Sequence, residues 1–175
     1  MICDGQYRIL DADISWPGSV HDARVWRNSG VKALLDSGLA GDKLMLADSG
    51  YGITPYLMVP FTQAQSAADP VKRRYNYILS RDRVVIENTI GQLKCRFQML
   101  RVPLRIHLEQ APKLILAGCI LHNVGEFLND TFEDDPDYHD DDNEDEDDDG
   151  QALPTGATAV RIAGQNKRDQ ISAIL

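Results

Sequence analysis

No run of about 18 apolar residues occurs anywhere in this 175-residue chain, so no membrane span is expected. The opening, MICDGQYRIL, has no basic stretch followed by an apolar one and so does not read as a secretory leader. It reads instead as a strand entered in mid-sheet. Cysteine is scarce. Cys3, Cys95 and Cys119 are odd in number and lack any CxxC spacing, which argues against a disulfide framework or a zinc site and points to reduced, packed thiols in an intracellular compartment. Lysine and arginine are missing altogether between Glu133 and Asp149, where 13 acidic residues stand. That segment dominates the net charge of −9: without it 14 acids face 18 bases, and the remainder carries about +4. A mildly basic body is compatible with a nucleic-acid partner. The acidic stretch cannot bury a core and repels itself, so 132–150 is expected to be disordered. Residues 151–175 follow as a tail with room for a short helix at Arg168–Leu175.

The ordered part alternates short apolar runs with helical patterns. Ile2–Cys3 and Tyr7–Ile14 read as two strands joined by a tight Asp4–Gly5 turn, with Asp4 a turn residue. After Pro17–Gly18, Ser19 is placed to cap one helix carrying Val20, Val25, Trp26, Val31 and Leu34, closed by Gly38. His21 and Asp22 fall in its first turn. They either stabilise that helix start or stand behind a metal's ligands as an orienting pair. Lys43–Ala47 fits a buried central strand, and Tyr56–Phe61 a second one near a sheet edge. Residues 62–70 read as a flexible polar loop. Lys72, Arg73 and Arg74, beside Tyr75 and Tyr77, either open a solvated helix or hold a phosphate backbone with an aromatic to stack on a base.

The longest pattern runs from Leu79 to Leu100. Ile86, Ile90, Leu93, Phe97 and Leu100 recur at steps of four and three, one apolar stripe on a helix about 30 Å long. Glu87 sits about 100° off that stripe, with Arg83 one turn before it and Lys94 two turns after. After it, 111–130 is a second amphipathic helix with Leu114, Ala117, Leu121 and Val124 on one face and Ile115, Gly118 and Cys119 close beside. Its one polar interruption, His122–Asn123, reads as a buried hydrogen-bonded pair. Asp48 stands at the carboxyl end of the Lys43–Ala47 strand, where ligands bind in sheets covered by helices. It either caps its own Ser–Gly turn or reaches a metal or substrate. Together Asp48 and Glu87 suit a hard divalent cation such as Mg²⁺ or Mn²⁺, the kind that activates a nucleophile and stabilises the leaving oxygen of a phosphodiester. Arg83 and Lys94 are then placed for phosphates.

Four ordered motifs carry a family resemblance: WPGSVHDARVWRNSG (16–30), LMLADSGYG (44–52), SRDRVVIENTIGQLKCRF (80–97) and CILHN (119–123), with KRDQI (167–171) as a closing segment. The chain resembles the DDE-type nuclease domain of the PIF/Harbinger transposases and the nucleases derived from them. The resemblance implies an α/β, ribonuclease H-like mixed sheet flanked by helices, occupying 1–131 and expected to be N-terminally truncated. It implies a divalent-metal-dependent DNA nuclease with Asp48 and Glu87 as catalytic, metal-holding acids. Nothing in the sequence matches the family's first acid; Asp4, in CDGQYR, aligns with the hairpin that follows it. The implied partners are DNA and a separate DNA-binding protein, and the implied compartment is the nucleus. The competing reading is a non-catalytic remnant that binds DNA or a protein.

Overall fold

In the computed structural model the described residues are 1–39, 41–130 and 156–175. In chain order the elements are β1 (Ile2–Cys3), β2 (Ile9–Asp11), α1 (Asp22–Asn28), α2 (Gly30–Asp36), β3 (Met45–Leu46) and β4 (Leu57–Met58). Next come α3 (Gln63–Ser66), α4 (Pro70–Arg96), a 3₁₀ turn (Gln98–Arg101), α5 (Ala111–Phe127) and α6 (Gly156–Ile174). The described residues are helix-rich α/β with two small sheets: β1 pairs antiparallel with β2, and β3 parallel with β4. The described residues divide into two units, 1–18 with 84–130 and 19–83 with 156–175, and α4 contributes its two halves to different units. The acidic segment 132–150, expected to be disordered, and the start of the tail lie outside the described residues.

The first unit is built on the β1–β2 hairpin. Its turn is longer than the two residues expected. Asp4 Oδ1 accepts from the N–H groups of Gln6 (2.9 Å) and Arg8 (3.1 Å), and Tyr7 takes φ 60°. Asp4 is thus spent on the turn, including an ion pair to Arg8 at 2.6 Å. The hairpin is seated on α5 by a side chain acting as a strand. Asn123 Oδ1 accepts from the Ile9 N–H and Asn123 Nδ2 donates to the Ile9 carbonyl, both at 2.8 Å. His122, fully buried, bonds the Tyr7 carbonyl through Nε2 at 2.8 Å. Leu93, Cys119 and Ile9 form the core, with Phe97, Leu100 and Ile115 against it.

The buried face of α5 is turned from the expected one toward Gly118 and Cys119. Leu121 and Val124 are about half exposed, whereas Gly118, Cys119, His122 and Gly125 are buried. A Cβ on Gly118 would make ordinary contact with Leu100 and Phe97 at 3.6 Å, whereas Gly125 lies directly against the Arg96 guanidinium. That guanidinium binds Glu126 (3.2 Å) and Asp130 (3.1 Å).

In the second unit the single helix expected after Ser19 is two. The break falls at Ser29, whose Oγ donates to the Trp26 carbonyl (2.9 Å) while accepting from the Lys32 N–H (3.1 Å). Ser29 thereby ends α1 and caps α2. Residues 62–70 are not a loop throughout. Thr62 and Gln65 close a capping box on α3, and Asp69 Oδ1 accepts from Val71 and Lys72 N–H groups to cap α4, with Pro70 its first residue. The long helix therefore starts nine residues before Leu79 and tightens to 3₁₀ after Arg96.

β4 is the buried strand of this unit, with Leu57, Met58 and Val59 at 2%, 1% and 7% exposure. β3 was expected to be the buried central strand; its Leu46 is 43% exposed, because β4 is its one strand neighbour among the described residues. Met58, Phe61, Tyr75 and Leu79 form the core, joined by Ile171 of α6. Phe61 and Tyr75 meet edge to face, centroids 5.2 Å apart. α6, longer than the short terminal helix expected, is fastened by Arg168. Its guanidinium lies 3.8 Å over the Phe61 ring and donates to the Pro60 carbonyl at 3.1 Å.

Gly164 lets α6 come this close. A Cβ there would stand 2.7 Å from the Thr54 carbonyl carbon, backbone that has no side-chain freedom to yield. Gly164→Ala should therefore destabilise the second unit by about 1–3 kcal/mol and lower amide-exchange protection along α6. Gly30→Ala, with nothing within 4 Å of the new methyl, is the control and should be neutral or mildly stabilising. Unchanged α6 protection in Gly164→Ala would contradict the close contact.

Candidate active site

Asp48 owes its position to the β3–β4 ladder. The Met45 N–H bonds the Tyr56 carbonyl at 2.8 Å and the Ala47 N–H the Met58 carbonyl at 2.9 Å. These two bonds carry the chain out of β3 in a fixed direction. Asp48 follows at once, and its Oδ1 accepts from the Gly50 N–H at 2.9 Å. Even a methyl on Gly50 would crowd that oxygen at 3.2 Å, so the Ser–Gly turn suits the carboxylate closely. The turn-capping reading of Asp48 holds for Oδ1, while Oδ2 points to the Arg83 guanidinium at 3.8 Å. Asp48 remains 42% exposed, so this pair is weak and open to exchange.

Tyr51, three residues on, gathers the neighbourhood. Its ring meets Trp26 edge to face with centroids 6.4 Å apart. Burial, then the charges of Asp22 and Asp48, push its hydroxyl far above the usual tyrosine value, with Arg83 opposing. The sequence reading gave Tyr51 no role of its own; its spacing from Asp48 in ADSGYG was the available signal. Asp22 thus shares Tyr51 with Asp48, and both lie in the second unit. His21 is exposed and is the residue before α1, with no side-chain capping bond.

The remaining residues singled out in the sequence lie as follows. Glu87 is exposed on the part of α4 that belongs to the first unit, and Lys94 is half-buried in the same part. Lys72 is tied to the start of its own helix, 3.3 Å from Asp69 and 5.4 Å over the Phe61 ring. Arg73 donates to the Ala67 carbonyl at 2.6 Å. Arg74 is exposed. Tyr75 is removed from any role in base stacking, being 3% exposed in the core, whereas Tyr77 is 70% exposed.

Among the described residues no group of three or more His, Cys, Asp or Glu side chains is gathered as for a metal ion. The donors around Tyr51 are nevertheless all oxygens. Mg²⁺ takes one or two carboxylates and keeps its other positions for water and substrate phosphate. The half-exposed Oδ2 of Asp48 fits that chemistry.

The ionisation of the tyrosines gives a test of this packing. Burial pushes Tyr75 up to about 12, and burial together with the Asp36 carboxylate, 2.5 Å away, pushes Tyr56 up to about 12. In the unfolded chain these hydroxyls ionise near 10.0. The folded state holds the protons longer, so stability should be level below pH 10 and fall as pH rises toward 12. Urea midpoints measured across that window check it; a level stability to pH 12 would mean that these rings are open to water.

The family model described as DDE superfamily endonuclease matches residues 1–123. The Mus musculus protein named Putative nuclease HARBI1 is 32% identical over 127 residues, covering 71% of this chain, and its Homo sapiens counterpart matches to the same extent. Protein ALP1-like of Arabidopsis thaliana is 30% identical over 153 residues, covering 77% of this chain. In each case the match covers 36% of the relative, so the chain spans little more than a third of the length of these relatives. No solved structure matches.

Proposed function

This chain belongs to the DDE superfamily endonuclease family, and from that premise we propose that it is part of a divalent-metal-dependent DNA nuclease that acts on phosphodiester bonds in the nucleus. The observation that carries the reading is Asp48: a carboxylate at the carboxyl end of a strand, one oxygen pinned by Gly50 and the other turned to an arginine. Asp48 and Glu87 are the acids that we assign to the reaction, both within the matched stretch. Residues 1–131 form the nuclease part, with the ribonuclease H-like sheet as its proposed architecture. A Mg²⁺ or Mn²⁺ ion, when bound, supplies Lewis-acid polarisation of the phosphodiester. Asp48 would hold it through Oδ2 while the Gly50 N–H keeps Oδ1 in place. Arg83, relieved of Asp48, is free to take a substrate phosphate, for which a guanidinium has the right forked donors. Lys94 is a further phosphate contact. Asp22 and His21 are assigned, with Tyr51, to orient the turn behind Asp48.

A plasmid-nicking assay in Mg²⁺ or Mn²⁺ tests the assignment. Nicking is expected to fall by at least about a hundredfold in Asp48→Asn and in Glu87→Gln, with far-UV circular dichroism unchanged. Persistent nicking in either variant would remove that acid from the reaction. A parent chain that binds DNA or a protein partner without nicking would leave the second reading, a non-catalytic family member.

A further inference from the structure

The outward face of α4 in the second unit carries two arginines and a tyrosine in one exposed row. The buried side of this segment is set by Tyr75 and Leu79, at 3% and 4% exposure. On the opposite side Arg74, Tyr77 and Arg81 follow at steps of three and four, one stripe along the helix. All three are exposed, Tyr77 to 70%. An aromatic ring left so open between two guanidinium groups contributes nothing to the core; its face is available to a partner with a flat π surface and negative charge. Arg81 is engaged by its neighbour Asp82 at 2.8 Å, but both partners are about half exposed or more, so the pair is screened and readily exchanged. Lys72 and Arg73, by contrast, are committed to the helix start, and Tyr75 to the core. The basic–aromatic cluster of the sequence is thus sorted by the helix into a structural side and a free side.

We propose that Arg74, Tyr77 and Arg81 form a DNA-binding stripe in which the two arginines take successive backbone phosphates and Tyr77 stacks on an unpaired base. The proposal takes its partner, DNA, from the nuclease reading and adds a contact surface to it. The stripe extends about 10 Å along the helix, the rise of about three nucleotides of one strand. A base inside a duplex hides its face between neighbours, so a stacking tyrosine selects unstacked or single-stranded DNA over a duplex.

Fluorescence anisotropy with a labelled oligothymidine of about 20 nucleotides, in EDTA so that no cleavage intervenes, tests this on the whole chain. Tyr77→Ala should weaken binding by about 5- to 150-fold, the range for loss of one stacked base, while Tyr77→Phe binds like the parent. Arg74→Ala and Arg81→Ala should each reduce the salt slope of the binding constant by about 0.7. All these side chains are exposed, and unchanged circular dichroism certifies the fold. Binding by Tyr77→Ala and both arginine variants equal to the parent would overturn the stripe, even if the chain nicks plasmid. Binding through the stripe by a chain that nicks nothing would instead sink the nuclease reading alone. Self-association abolished by Tyr77→Ala, with DNA binding untouched, would make this face a contact between copies and refute the proposal.

Discussion

Two backbone hydrogen bonds between β3 and β4 set where Asp48 stands. Through them the exposed edge strand is bound to the most buried strand of that unit, and Asp48 emerges from the junction. On β4 and the residues just after it converge the core of Met58, Phe61, Tyr75 and Leu79 and the docked α6 with its Arg168 clamp. A parallel pair of two residues a strand is weak by itself. What makes it rigid is this surrounding apolar packing. The half-exposed carboxylate thus stands on a buried foundation, the arrangement by which a site on a turn gains the precision of a scaffold.

The first unit solves a related problem without a second sheet. Its hairpin would leave the outer side of Ile9 unpaired, and the Asn123 amide supplies the donor and acceptor that a neighbouring strand would have offered. Burying an amide is favourable only when both its ends are used, as here. His122 adds the Tyr7 bond, which supports a residue in the left-handed region that disfavours all but Gly and Asn. Gly125 brings α5 close to the last turn of α4, and Gly118 packs beside the 3₁₀ turn after it. Cys119, His122 and Asn123 of CILHN are thereby accounted for as packing and backbone recognition, whereas Ile120 and Leu121 are more than half exposed.

Much of this was legible in the sequence because it follows local rules. The apolar run before Asp48, the acid at the turn of the hairpin, the polar pair in an apolar helix and the Leu93–Phe97–Leu100 stripe each follow from period or turn chemistry alone. The misses have identifiable causes. Apolar periodicity ran across Ser29 undisturbed, so the two-way hydrogen bonding of one serine hydroxyl outweighed it. Thr62–Gln65 and Asp69–Pro70 are sound capping signals that a small, polar composition concealed. The buried face of α5 was placed too far round because hydrophobicity was counted where, at Gly125, close approach mattered more. Tyr75 and Tyr77 looked equivalent in sequence, two residues apart; on a helix that spacing is a turn of 200°, which sends one into the core and the other to solvent.

The central claim is that Asp48 is a metal-holding acid rather than only a turn cap, and calorimetric titration of this chain with Mg²⁺ and Mn²⁺, beside Asp48→Asn, tests it most directly. In the variant the Oδ1 cap on Gly50 is retained and the charge is lost, so the two roles separate. Saturable binding by the parent, abolished in Asp48→Asn at unchanged thermal stability, is the expected result. Equal binding by both proteins, or no binding by the parent, would contradict it.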